Sequence, residues 1–141
     1  MESKEHKELK DRAVQYIWNK GYRIARPEKT AGYYGVYDAW GISYQSYYTI
    51  GIEVKVSRAD FLSAHKYKNR KLEGGGNYNW GGANESYYLC PSGLIQPEEV
   101  GIYGLLWWGG NRIVNKKKPK FVNIHLKSKL DQLIELLIPK P

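Results

Sequence analysis

Apolar and polar residues alternate through Tyr48-Thr49-Ile50-Gly51-Ile52-Glu53-Val54-Lys55-Val56-Ser57. Ile50, Ile52, Val54 and Val56 fall on one side, and Thr49, Gly51, Glu53, Lys55 and Ser57 on the other, which is the period of a half-buried strand. Glu53 and Lys55 therefore share a face. Residues 36–42 also have strand composition, and Tyr44-Gln45-Ser46-Tyr47 is short enough to close the two runs as a hairpin. A symmetric closure about Gln45 and Ser46 sets Ser43 opposite Tyr48, Ile42 opposite Thr49 and Asp38 opposite Glu53. Directly opposed residues carry their Cβ atoms about 4.5–5.5 Å apart on one face. Two carboxylates so placed repel unless a proton or cation lies between them, and Lys55 is well placed to act with such a cation. The plain alternative is the wet face of an edge hairpin, but that leaves a bare Asp unexplained among Val, Tyr, Ala and Trp, where Asp is disfavoured.

On either side of this hairpin the pattern changes period. Leu9, Ala13, Tyr16 and Ile17 recur at three- and four-residue steps, which predicts a helix from about Ser3 to Lys20 stopped by Gly21. Glu5 lies one turn before Leu9 and is expected on the buried stripe, with Glu8 about a hundred degrees away from Leu9. Both acids also suit a helix N-terminus as plain dipole partners. Residues 22–26 read as a short strand ended by Pro27. Residues 28–35 read as a polar loop in which Glu28 is an ordinary loop residue or an outer acid of the site.

Ser57-Arg58-Ala59-Asp60 has the form of a capping box, opening a helix to about Lys71. That helix sends Phe61, Leu62 and Ala64 inward and Arg58, Lys66, Lys68, Arg70 and Lys71 largely outward. These cations are a solvated face or a phosphate track beginning at a helix N-terminus. Residues 74–84 hold five glycines with Tyr78 and Trp80. They lack the Lys-Ser/Thr ending of a phosphate-binding loop, so a nucleoside-triphosphate site is rejected. Tyr78 and Trp80 are candidates to stack on bases, against the alternative of a surface insertion with one anchoring tryptophan.

Further on, residues 86–91 read as a buried strand and residues 96–100 as a short helical turn. Residues 103–108 and 112–115 flank the hairpin signal Gly109-Gly110-Asn111, and residues 116–120 read as a basic linker. Leu130, Leu133, Ile134, Leu137 and Ile138 form the apolar stripe of a last helix. It packs on its own sheet by default, or on a second copy in a homodimer.

The 141 residues suit one domain, 1–141, with a sizeable core. No apolar run is long enough to cross a membrane, and the charged start Met1-Glu2-Ser3-Lys4-Glu5 does not read as a signal, so a soluble, cytoplasmic protein is expected. A single cysteine, Cys90, excludes an internal disulfide, and with His6, His65 and His125 it offers no zinc spacing. A bound metal is therefore expected on oxygens. The net charge of +8 suits a polyanion, though a merely basic protein fits it almost as well.

Asp38 followed by Glu53-Val54-Lys55, in an order of helix, three strands, helix and strand, resembles the PD-(D/E)XK nuclease superfamily. Glu53-Val54-Lys55-Val56-Ser57-Arg58-Ala59-Asp60-Phe61 and residues 87–95 look like a small bacterial and phage group related to MmcB-like DNA-repair proteins. The resemblance spans roughly residues 1–108. It implies an α/β (α+β) fold with a mixed central sheet flanked by helices, a restriction-endonuclease-like αβββαβ core, followed here by a hairpin and a C-terminal helix. It further implies a Mg²⁺- or Mn²⁺-dependent nuclease acting on DNA in repair, recombination or phage DNA processing. Asp38 and Glu53 would ligate the metal with the Val54 carbonyl, and Lys55 would handle water or phosphate charge. Glu5 would be the added helix acid, with Glu8 second, and Asp60 and Lys66 would give support. Arg58, Lys66, Lys68, Arg70, Tyr78 and Trp80 are the candidate DNA contacts. Tyr37 stands where the superfamily often has proline, and the 74–84 stretch is longer than expected. A non-cleaving or weakly cleaving nucleic-acid-binding module of the same fold is the alternative, and a basic interaction protein a third.

Overall fold

The computed structural model describes residues 2–22, 24–27, 30–31, 35–43, 45–63 and 83–123. Helix α1 (Lys4–Asn19) starts where the Ser3 hydroxyl accepts the His6 N–H at 3.1 Å, and ends before Gly21, whose φ of +95° suits a residue without a side chain. The strands are β1 (Ile24–Pro27), β2 (Thr30–Ala31), β3 (Gly35–Val36), β4 (Ala39–Ile42), β5 (Thr49–Val54), β6 (Glu85–Pro91), β7 (Gly104–Trp108) and β8 (Ile113–Lys117). Residues 58–63 are helical, and Pro97–Glu99 form a 3₁₀ turn.

Six strands make one mixed sheet in the order β1-β4-β5-β6-β7-β8. β1 pairs antiparallel with β4 and β4 with β5, β6 and β7 continue parallel to β5, and β8 turns back antiparallel. β2 and β3 form a separate two-stranded ladder where a polar loop was expected. β8 runs through Lys116 and Lys117, into the expected linker. Lys116 lies 4.7 Å from the centre of the Trp107 ring, and an edge strand tolerates lysine well. The last helix, expected from Ser128 onward, lies outside the described residues, and with it the apolar stripe read as packing on the sheet or on a second copy.

The hairpin has the expected register: Ile42 pairs with Thr49, and Ser43 N–H donates to Tyr48 O at 3.0 Å. Ile50, Ile52 and Val54 pack with Ala39, Leu89 and Leu106 under Leu9, Ala13 and Ile17 of α1. The opposite face of β5, which the half-buried pattern left uncovered, is buried too. Phe61, Tyr88, Cys90, Ile95, Val100, Tyr103 and Leu105 form a second core, and Tyr37, Trp40, Ile42 and Ala83 a third. Burial pushes the Cys90 thiol up to about 11, so it is a core thiol and not a reactive one.

At the hairpin end of the sheet Asn84 holds three segments together. Its side-chain oxygen accepts the Thr49 N–H at 2.9 Å, and its amide donates to Val122 O at 2.8 Å. Asn84→Ala leaves both buried backbone groups unpaired, at about 1 kcal/mol or more each. A loss of about 2 kcal/mol in the urea-unfolding free energy is expected. An unchanged midpoint would show that water replaces the side chain.

Candidate active site

β4 begins at Ala39, opposite Ile52, so Asp38 lies one step beyond the ladder and the expected Asp38–Glu53 pair is not part of it. Asp38 Oδ2 accepts the Val54 N–H at 2.7 Å and so caps the end of the strand pair. In a strand a residue's N–H and C=O point to the same side, so the Val54 carbonyl also faces the Asp38 edge. The next residue is fixed to the other neighbour, with Lys55 N–H donating to Leu89 O of β6 at 2.9 Å. Glu53 and Lys55 are buried, 4% and 8% exposed. Lys55 Nζ lies 3.9 Å from Glu53 Oε2 and 3.4 Å from Asp60 Oδ2.

Asp60 enters through the start of the second helix. The Ser57 hydroxyl accepts the Asp60 N–H at 3.3 Å, which is the first half of the expected capping box. The Asp60 carboxylate meets Lys55, in place of the second half. Arg58, expected to face outward on a phosphate track, is exposed and is bound bidentately to Glu99, at 2.6 and 3.1 Å, and donates to Leu94 O at 2.8 Å. The hydrogen bond and charge of Glu99 raise its already high pKa. Lys66, Lys68, Arg70, Tyr78 and Trp80 lie outside the described residues, as does Glu28.

Glu5 and Glu8 are exposed, and the α1 side chain that reaches the site is His6. Its Nε2 lies 3.8 Å from Asp38 Oδ2, and its Nδ1 3.2 Å from Glu2 Oε2. Glu2 also pairs with the buried Lys10, whose hydrogen bond is the main cause of a lowered Glu2 pKa. Sequence reasoning missed this line, although His6 and Lys10 stand at i,i+4 spacing on one helical face and Glu2 comes just before the Ser3 cap. Glu2, Ser3, His6, Val56, Ser57 and Asp60 line an open cleft of about 400 Å³ next to the acids.

The locality is acidic within a basic chain: Glu2, Asp38, Glu53 and Asp60 are met by Lys10 and Lys55. Asp38, Glu53 and the Val54 carbonyl are an all-oxygen donor set of the kind a hard divalent cation takes, with coordination positions to spare. Among the described residues no three His, Cys, Asp or Glu side chains are gathered closely enough to hold a metal by themselves. Below Glu53, burial raises the hydroxyl pKa values of Tyr37, Tyr88 and Tyr103, and the Glu53 charge adds to each shift.

The fold is that of a mixed α+β protein. A protein of unknown function from Silicibacter pomeroyi has a similar structure, with a TM-score of 0.73 over 96% of this chain and 86% of that one, at 14% identity. At that identity the likeness is one of fold. No family model and no curated protein matches the sequence. No described helix is long and apolar enough to cross a membrane.

Proposed function

We propose that the chain is a Mg²⁺- or Mn²⁺-dependent nuclease that hydrolyses phosphodiester bonds in DNA, with Asp38, Glu53 and Lys55 at its centre. The observation that carries the reading is the meeting of Asp38 with β5, where its carboxylate accepts the Val54 N–H at 2.7 Å beside a buried Glu53 and Lys55. Asp38, Glu53 and the Val54 carbonyl would hold the cation, which when bound polarises phosphoryl oxygen and makes water a better nucleophile.

The remaining chemistry belongs to the chain. Lys55 is held in a low-water setting between Glu53 and Asp60, where an ammonium group offsets negative charge on phosphate more strongly than in bulk water. With its orientation set by Glu2, His6 faces Asp38 and is a second polar wall of the cleft. Resemblance to the PD-(D/E)XK superfamily supports the same three residues, and the net charge of +8 suits a DNA partner.

A nuclease panel on single-stranded, double-stranded and branched DNA, with and without Mg²⁺, tests the reading. Metal-dependent cleavage is expected, together with a rise in melting temperature on adding Mg²⁺ or Mn²⁺, because binding to the folded state alone stabilises it. Salt-sensitive DNA binding without cleavage would select the non-cleaving module instead. Absence of both would end the nucleic-acid reading.

A further inference from the structure

Three aromatic side chains stand exposed at the hairpin end of the sheet, opposite the end that carries Asp38. Tyr47 is 49%, Tyr48 47% and Phe121 42% exposed. Tyr48 and Phe121 meet edge-on, with ring centroids 4.9 Å apart and planes at 65°. Single apolar residues are ordinary on a surface, whereas grouped ones are what interaction sites expose. Tyr47 also has a φ of +59°, the one positive value outside glycine among the described residues, so backbone strain is stored at an exposed ring.

The segment after β8 brings lysines to the same end. Lys120 N–H donates to Ile102 O and Val122 N–H to Asn84 O, both at 2.8 Å, so residues 118–122 pass the starts of β7 and β6 and, through the Asn84–Thr49 bond, of β5. Lys116, Lys118 and Lys120 are exposed at every second position, while Lys117 donates to Gly101 O. Among the described residues none of these three lysines is in an ion pair, and Lys116 lies over the Trp107 ring. Neither 39–52 nor 100–123 contains an Asp or Glu. Glu85, beside Asn84, is partly buried, and its charge acts on Tyr22 and Tyr87.

Cations without carboxylates beside exposed rings suit an unpaired polynucleotide, whose phosphates take the lysines and whose base faces take the rings. A duplex keeps those faces in its stack, and an acidic peptide would leave the rings unused. We infer that this end of the sheet binds single-stranded DNA, with phosphates on Lys116, Lys118 and Lys120 and bases on Tyr47 and Phe121. Tyr48 supports the Phe121 ring from the side. A strand rises about 3.3 Å per residue, so this surface lies roughly 16 Å along β5 from Glu53 and is separate from the cleft. The choice of DNA rests on the proposed function, while the surface itself needs no cleavage.

Fluorescence anisotropy of a labelled oligodeoxythymidine, with the full chain in EDTA so that nothing is cut, tests it. Tighter binding than to a duplex of equal length is expected. Tyr47→Asn, which puts a residue tolerant of the left-handed backbone at the turn, and Phe121→Ala are each expected to weaken binding by about tenfold with the salt dependence unchanged. Lys118→Gln and Lys120→Gln are each expected to reduce the slope of log affinity against log salt by about 0.7. Parent affinity and slope retained in all four variants overturn the inference, as does tighter binding of the duplex or of the matching oligoribonucleotide. A parent chain that does not bind the oligonucleotide overturns it too, and leaves the rings to a protein partner. Cleavage plays no part in the readout, so a chain that binds and cuts nothing fails the nuclease reading alone.

Discussion

Asp38→Asn is expected to lower Mg²⁺-dependent cleavage by about a hundredfold or more, the scale on which a group that stabilises transition-state charge is lost. The fold should survive. Asparagine has nearly the same shape, and its amide oxygen can accept the Val54 N–H that Asp38 Oδ2 accepts at 2.7 Å, so the end of the β4–β5 pair stays capped. In metal-free buffer the variant should be as stable as the parent or slightly more so, because one of two neighbouring negative charges is gone. The divalent cation loses a charged ligand, so the rise in melting temperature with Mg²⁺ should shrink in parallel with the activity. Gel assays and melting curves on the same preparations check both. Cleavage at the parent rate would remove Asp38 from the site, and with it the case for a cation between Asp38 and Glu53.

The register that brings Asp38 to the end of β5 is legible in sequence for a definite reason. Strand side chains alternate with a period of two, and a short connection leaves few ways to close two such runs, so a slip of one residue would turn Ile50, Ile52 and Val54 away from α1. What covers the other face is not written in β5. Phe61, Tyr88 and Tyr103 come from later segments, so the strand that reads as half-buried is buried on both faces. The same limit applies to Arg58, whose partner Glu99 lies 41 residues away. Its cationic neighbours in sequence suggest a phosphate track, while the fold gives it a carboxylate.

Helix α1 failed the extrapolation more subtly. Projecting the Leu9, Ala13 and Ile17 stripe back by one turn puts Glu5 inward, yet at that end it is His6 that reaches the Asp38 edge. Successive helical residues differ by about a hundred degrees, so a small change in which side faces the sheet exchanges one side chain for the next. The line of Glu2, His6 and Lys10 was the better guide, because its last member is buried and its first two flank the cleft.

Gly51→Val is expected to cost about 3 kcal/mol or more of stability, at or above the upper end of what overpacking a core usually costs. A Cβ built at Gly51 would lie 2.5 Å from Cδ1 and Cε1 of Tyr37 and 2.6 Å from Cγ, well inside contact distance. The ring cannot move aside freely, since its hydroxyl is tied to Ser86 and to the Ala83 N–H, and it is only 4% exposed. Valine favours strands over glycine by up to about 1 kcal/mol, which is too little to offset the clash. Tyr37 is also the residue before Asp38, so a displaced ring carries the carboxylate away from the Val54 N–H, and Mn²⁺ affinity should fall in whatever folded protein remains. Adding Tyr37→Ser to Gly51→Val opens the space and should recover part of the lost stability, a non-additivity expected of residues in contact. Urea midpoints of the two single variants and the double variant measure it. A Gly51→Val protein as stable as the parent would mean that the Tyr37 ring does not rest on β5, and that Asp38 is held in place by something else.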